Sequence, residues 1–148
     1  MKGVDGYNPD KAAMYSKQIK FLKDLGCDKK SHTQRSLLDH LRCTQLILEL
    51  WRAPKYLQDA GLFHSIYGTP VFKHQSTDDR DAVRELIGEQ AEEVVYHFCQ
   101  IEQPRLENIN KLHTGRLRGD LLILTRANFI ENRKKFKPGG IDGVYSVR

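Results

Sequence analysis

The chain has 148 residues, of which 39% are hydrophobic, and its 24 Lys and Arg against 19 Asp and Glu give a net charge of +5 at pH 7. A chain of this length suits one domain, and it lacks the run of about 18 apolar residues that a membrane span needs. Its cysteines are odd in number and widely spaced. That pattern favours reduced thiols in the cytoplasm over a disulfide framework, with an organelle as the other location.

Basic residues concentrate near the two ends of the chain, whereas the middle, residues 78–93, is acidic. A nucleic-acid interface would interleave aromatic side chains with the basic ones on one face. Only Phe129 and Phe136 lie near the C-terminal basic cluster. We therefore expect a solvated surface there, which does not favour nucleic acid as a partner. The sequence gives no indication of an oligomeric state.

The spacing of apolar residues predicts three helices in the first half of the chain. They are expected over residues 10–25, 33–51 and 54–67. Pro54 suits the first turn of a helix. The third helix is expected to end at Gly68, because glycine and the proline that follows it both continue a helix poorly.

After a loop, residues 77–80 are expected to form the entry to a fourth helix, which should break at Gly88, since glycine is a poor residue in a helix interior. A fifth helix, a shorter helix or turn, and a last strong helix are expected over residues 89–101, 104–112 and 119–134. No segment alternates between polar and apolar residues long enough to predict a strand.

These elements predict an all-α class, a helical bundle of about 5–7 helices. One domain is expected over residues 1–137. The Pro-Gly-Gly sequence after it predicts a mobile tail over residues 138–148.

Two histidines fall on apolar faces of adjacent predicted helices. His64 shares a face with Leu57, Ala60 and Gly61, and His40 sits with apolar residues at spacings of three and four. A buried imidazole needs a partner, because an unpaired polar group in the interior costs roughly 1–3 kcal/mol. We predict that His40 and His64 face each other across a cavity, close enough for one ion or water to bridge them. A core imidazole bonded to a carbonyl or carboxylate group is the alternative for each.

His40 and the later run Ala60-Gly61-Leu62-Phe63-His64-Ser65 resemble the HD-domain superfamily, in which an early helix supplies a histidine and a later apolar helix supplies a His-Asp pair. Four segments resemble more closely a family of small HD-like proteins that carry His-Ser in place of His-Asp. These segments are residues 32–41, 51–54, 60–69 and 86–89. The resemblance covers roughly residues 30–132.

The resemblance implies a pocket between the second, third and last helices. It also implies a site for a divalent transition metal such as iron, manganese or zinc, held by His32, His40 and His64. A distal aspartate completes the site in HD proteins, and Asp120 or Asn128 is the candidate for that position.

Two classes of function follow from the resemblance, because HD proteins include phosphohydrolases and diiron oxygenases. The first is a metal-assisted hydrolase or oxygenase acting on a small anionic molecule. Its catalytic candidates are Ser65, Tyr67 and Arg84, and either Arg84 or Arg126 is expected to receive the anionic group. The alternative is a metal-free pocket that binds a small ligand or another protein, because the Ser65 hydroxyl is a far weaker metal ligand than a carboxylate.

The end of the third helix is the expected entrance to the pocket. Helix ends leave backbone groups free for ligands. We therefore expect Tyr67, Gly68 and Thr69 to line the mouth of the cavity.

Overall fold

The computed structural model describes residues 9–32 and 35–134 of the chain. This part of the chain contains six α-helices and one short β-hairpin, so the predicted all-α class is confirmed. The helices are α1 (Pro9–Asp24), α2 (Leu37–Leu50), α3 (Lys55–Phe63), α4 (Arg80–Gln100), α5 (Arg105–Leu112) and α6 (Gly115–Lys134), and the strands are β1 (Ser31–His32) and β2 (Arg35–Ser36). The predicted tail, residues 138–148, lies outside the described residues.

The hairpin corrects the predicted start of the second helix. Ser31 pairs with Ser36 and His32 with Arg35 in antiparallel register, so α2 begins at Leu37 rather than at residue 33. The Ser36 side chain caps the helix by accepting a hydrogen bond from the Asp39 backbone N–H at 3.1 Å. A serine at this position satisfies one of the unpaired amides of the first turn.

The other helix boundaries lie close to the predicted ones, with two further corrections. α3 ends at Phe63, and residues 64–67 form a turn instead of its last turn. α6 begins at Gly115, four residues earlier than expected. The break at Gly88 is confirmed, since its φ of 87° and ψ of 164° interrupt α4 with a kink. Glycine adopts such a positive φ readily because it has no Cβ atom.

A close helix contact sets the geometry of the core. α2 packs against α3 and α6, and α4 packs against α3 and α6 in turn. At Gly61 a Cβ atom would lie 2.5 Å from Leu48 Cδ1 and 3.4 Å from the Gln45 Cα, so a larger residue would force the Leu48 side chain to shift. This approach brings the end of α3 next to the first turns of α2.

No helix within residues 9–32 and 35–134 is both long and apolar enough to cross a membrane.

Candidate functional site

His40 and His64, called the imidazole pair below, meet at the centre of the bundle. His40 lies on the first turn of α2, and His64 directly follows the last residue of α3. Their Nε2 atoms are 3.1 Å apart, and their rings are nearly perpendicular at 72°. Each residue is only 1% exposed. The structure thus brings together the two histidines that the sequence predicts to face each other.

The outer nitrogen of each imidazole is held by an acceptor. His64 Nδ1 donates to the Gly61 carbonyl oxygen at 2.8 Å, because a carbonyl only accepts. His40 Nδ1 lies 2.8 Å from Glu131 Oε1, and Arg35 donates to this same oxygen. Because this carboxylate oxygen is paired with a guanidinium, it is ionised and can only accept a hydrogen bond. His40 therefore carries its proton on Nδ1 and donates it to Glu131. In these tautomers the two Nε2 lone pairs are directed at each other.

The surroundings of the pair favour neutral rings. Burial lowers the pKa of His64 to about 4, against an opposing effect of its hydrogen bond to Gly61. Burial, followed by the charges of neighbouring histidines and of Arg35, holds the pKa of His40 well below its ordinary value. Hydrogen bonding to Asn128 raises both pKa values by a smaller amount. Two facing lone pairs without a proton favour an electron-poor occupant, either a hydrogen-bond donor of a ligand or a metal ion.

His32 lies beside the pair but does not complete a three-histidine site. Its ring stacks on that of His40 with centroids 4.1 Å apart and planes within 10°, and it also contacts Phe72. The lone pairs of an imidazole lie in its ring plane, so two parallel stacked rings cannot direct them at one ion. Within the described part of the chain, no group of three His, Cys, Asp or Glu residues is arranged to hold a metal.

The donor set therefore fits a metal ion only in part. Metal–nitrogen bonds of about 2.0–2.1 Å place neighbouring ligand nitrogens about 3 Å apart, as in the imidazole pair. The outer hydrogen bonds of His40 and His64, to a carboxylate and a carbonyl, are also those of metal-bound histidines. Among the described residues that line the cavity there is no carboxylate to act as a third ligand, and Ser65 and Asn128 are both neutral.

The imidazole pair forms one wall of a cavity of about 950 Å³. Much of the remaining wall comes from α5 and α6, and its apolar part includes Phe72, Leu106, Leu122 and Phe129. Polar side chains also face it. They include Ser65, Thr69, Arg105, Thr125, Arg126, Asn128 and Asn132.

Two hydroxyl groups of the cavity wall are buried without a partner. Ser65 is 3% exposed and Thr125 is 8% exposed. Neither Ser65 Oγ nor Thr125 Oγ1 forms a hydrogen bond with any described residue. Such atoms are rare in folded proteins unless water or a ligand satisfies them.

A family model matches residues 21–103, which is more than half of the chain, and its description is "Domain of unknown function (DUF6817)". The chain belongs to this family. No curated protein and no solved structure matched the chain. The DUF6817 segment contains His32 and the imidazole pair, whereas the cavity wall formed by α5 and α6 lies beyond it.

Tyr67 does not lie at the histidine cavity, in contrast to the prediction that it lines the mouth. Its hydroxyl donates to Glu92 Oε2 at 2.8 Å, and it lines a separate cavity of about 170 Å³. Burial and the Glu92 carboxylate raise the pKa of Tyr67 above its ordinary value. The early end of α3 explains the difference, because the turn after Phe63 carries Tyr67 toward α4. Of the predicted mouth residues, Thr69 does line the histidine cavity.

Arg84 is likewise held away from the cavity. It contacts Asp81 and lies 3.5 Å from Glu92 Oε1, so its charge is already matched by carboxylates. Arg126 does line the cavity, with an exposed side chain.

Asp120 and Asn128, the two candidates for the distal position of the metal site, lie in different places in the structure. Asp120 accepts a hydrogen bond from the Tyr56 hydroxyl at 2.9 Å and is absent from the cavity wall. Asn128, two turns later on α6, lines the cavity and raises the pKa values of His40 and His64 slightly. The uncharged candidate is thus the one at the site.

Sequence reasoning missed Glu131, Arg35, Arg105 and Thr125. One signal for two of them was present on α6, where Thr125, Asn128 and Glu131 recur every three residues and so share a face. A polar stripe of this kind, next to the buried apolar residues Leu121, Leu124 and Ala127, indicates a helix face turned toward a polar site.

Proposed function

We propose that this DUF6817 protein binds a small molecule in the histidine cavity. The polar end of the ligand contacts the imidazole pair, and its apolar body lies between α5 and α6. The observation that carries this proposal is the pair of buried hydroxyls, Ser65 Oγ and Thr125 Oγ1, that face the cavity without a partner. An unsatisfied buried group costs about 1–3 kcal/mol, and a ligand that bonds to it recovers this cost.

The size and the lining of the cavity support the same conclusion. Sites for small molecules usually enclose about 300–1,000 Å³ and combine apolar walls with a few placed polar groups. Here the apolar side chains of Leu106, Leu122 and Phe129 face the cavity, and the imidazole pair offers hydrogen-bond acceptors. A cytoplasmic location is part of this proposal, because an odd number of cysteines suits a reducing compartment.

A neutral fluorescent probe, N-phenylnaphthylamine, tests the proposal. We expect saturable binding of one probe molecule per chain. Leu122→Trp places a large ring in the cavity and is expected to abolish binding, whereas Ile123→Trp is the matched control. Ile123 is the next residue of α6, is 40% exposed and does not line the cavity. Binding that is absent in the wild type, or equal in both variants, would contradict the proposal.

A second candidate is the metal-assisted hydrolase or oxygenase implied by the HD resemblance. The facing Nε2 atoms at 3.1 Å favour it, because two neutral imidazoles in this arrangement suit adjacent positions around a cation. Elemental analysis of protein purified without a histidine tag tests this candidate. Iron, manganese or zinc at one ion per chain, lost in His64→Leu, would support it, and metal-free wild-type protein after exposure to each ion would refute it.

A further inference from the structure

Arg105 is a partly buried cation whose charge is not matched by a carboxylate. The guanidinium groups of Arg35, Arg80 and Arg84 all contact carboxylates. Arg105, in contrast, forms no side-chain hydrogen bond or ion pair with the described residues, and its Nε atom is buried without a partner. Burial lowers its pKa, and no carboxylate opposes that effect. A buried charge is costly unless it is paired.

The position of Arg105 is fixed by its neighbours. It is the first residue of α5, and its backbone N–H donates to Gln103 Oε1 at 3.2 Å. Its guanidinium carbon lies 4.4 Å from the centre of the Phe98 ring, and Phe98 packs edge-on against His64 with ring centroids 5.4 Å apart. Stacking engages the face of the guanidinium and leaves its in-plane N–H donors open.

Those open donors belong to a residue that lines the histidine cavity. Arg105 lies over Phe98, whose ring packs against His64, so the charge of Arg105 lies near the polar end of the proposed ligand. Its positive charge also contributes to the low pKa of His64. A planar fork of N–H groups matches the oxygens of a carboxylate, phosphate or sulfonate group.

We propose that Arg105 binds an oxyanion on the ligand, so that the cavity selects small molecules with an apolar body and an anionic group. This inference rests on the proposed function. It assigns the anionic group to a residue other than Arg84, which contacts Asp81 and Glu92, and other than Arg126, which is exposed.

Two related fluorescent probes test the assignment. Anilinonaphthalene sulfonate and N-phenylnaphthylamine share an apolar body, and only the first carries an oxyanion. We expect the wild type to bind the sulfonate about tenfold or more tightly than the neutral probe, because a charge-assisted hydrogen bond in a desolvated site has this effect. Arg105→Gln should remove the preference, because it weakens binding of the sulfonate by more than binding of the neutral probe.

Three further variants make the test specific. Arg118→Gln removes the same charge from an exposed position of α6 outside the cavity, and the preference should survive. Arg126→Gln should retain most of it. Arg105→Lys keeps the charge without the fork, so it should keep part of the preference, and it provides a second variant if Arg105→Gln does not fold. Circular dichroism melting checks the fold of each protein.

The outcomes separate this inference from the proposed function. If the neutral probe binds the cavity but the sulfonate has no advantage, or if only Arg126→Gln removes that advantage, the role of Arg105 is refuted and the binding cavity stands. If neither probe binds, both are refuted. Displacement of the sulfonate by octanoate or octyl phosphate at about one tenth of the octanol concentration would support the inference and identify the oxyanion. Equal displacement by octanol would overturn it.

Discussion

Replacement of Glu131 by glutamine is expected to destabilise the fold through the loss of its ion pair with Arg35. Glu131 is fully buried on α6, and its Oε1 atom accepts from both His40 Nδ1 and Arg35. Gln has the same shape and keeps one acceptor oxygen, so the hydrogen bond from His40 Nδ1 can persist. The negative charge that faces Arg35 is lost.

The structure sets the expected magnitude. Removal of one partner from a buried ion pair costs about 3–5 kcal/mol. The Arg35 side chain is 17% exposed, so water reaches part of the guanidinium and reduces the penalty. We therefore expect a loss of about 3 kcal/mol in the free energy of unfolding, which lowers the melting temperature of a chain this long by roughly 6–12 °C.

Thermal and urea denaturation of five proteins measure this effect. The wild type and Glu131→Gln are compared with Glu93→Gln, which removes an exposed carboxylate from α4 and should change stability by less than about 0.5 kcal/mol. Arg35→Met, alone and combined with Glu131→Gln, completes a double-mutant cycle, and the double variant should be less destabilised than the sum of the two single variants. A melting temperature of Glu131→Gln within about 2 °C of the wild type would refute this account of the ion pair between Arg35 and Glu131.

Three other perturbations have defined outcomes. Tyr67→Phe should lower the free energy of unfolding by about 1.5–3 kcal/mol in urea titrations, because the Glu92 carboxylate loses a donor, and should leave probe binding in the histidine cavity unchanged. The pKa of His64 falls from 6.5 to about 4 on folding, so the unfolded chain binds more protons between these values and stability decreases as the pH falls. Urea titrations near pH 4.5 and pH 7 should differ by about 2.5 kcal/mol from this residue, a contribution absent in His64→Leu. Ser65→Asp buries a carboxylate and should cost several kcal/mol with or without metal, whereas recovery of its melting temperature by manganese, iron or zinc would favour the metal-assisted enzyme.

The helices and the inward positions of His40 and His64 could be predicted from the sequence, because both follow from the local spacing of apolar residues. Leu57, Ala60, Gly61 and His64 share one face at helical spacing, and this pattern alone turns His64 inward. The hairpin was missed because its strands have two residues each, too few to show alternation. Tyr67 was assigned to the cavity on the assumption that α3 continues to that residue, and a helix end is the least certain part of a pattern.

Glu131 and Arg105 illustrate a different limit. Arg35 and Glu131 are 96 positions apart, so nothing local distinguishes their buried ion pair from two surface charges. Arg105 follows a proline at the start of a short helix, where a charged residue is ordinarily solvated. Its burial depends on Phe98, on a different helix, and on the cavity that α5 and α6 close together.

The residues of the site come partly from the segment matched by DUF6817 and partly from the helices after it, and the two groups differ in role. The segment matched by DUF6817 contains both imidazoles and Ser65, the groups at the inner end of the cavity. Glu131, which orients His40, and Arg105, which faces the cavity, come from helices beyond residue 103. The imidazole tautomers therefore depend on α6 as much as on α2 and α3, because without the Glu131 acceptor nothing fixes the proton of His40 on Nδ1 and directs its Nε2 lone pair toward His64. A variant that detaches α6 from α2 should thus disorder the imidazole pair even with every residue of the matched segment intact.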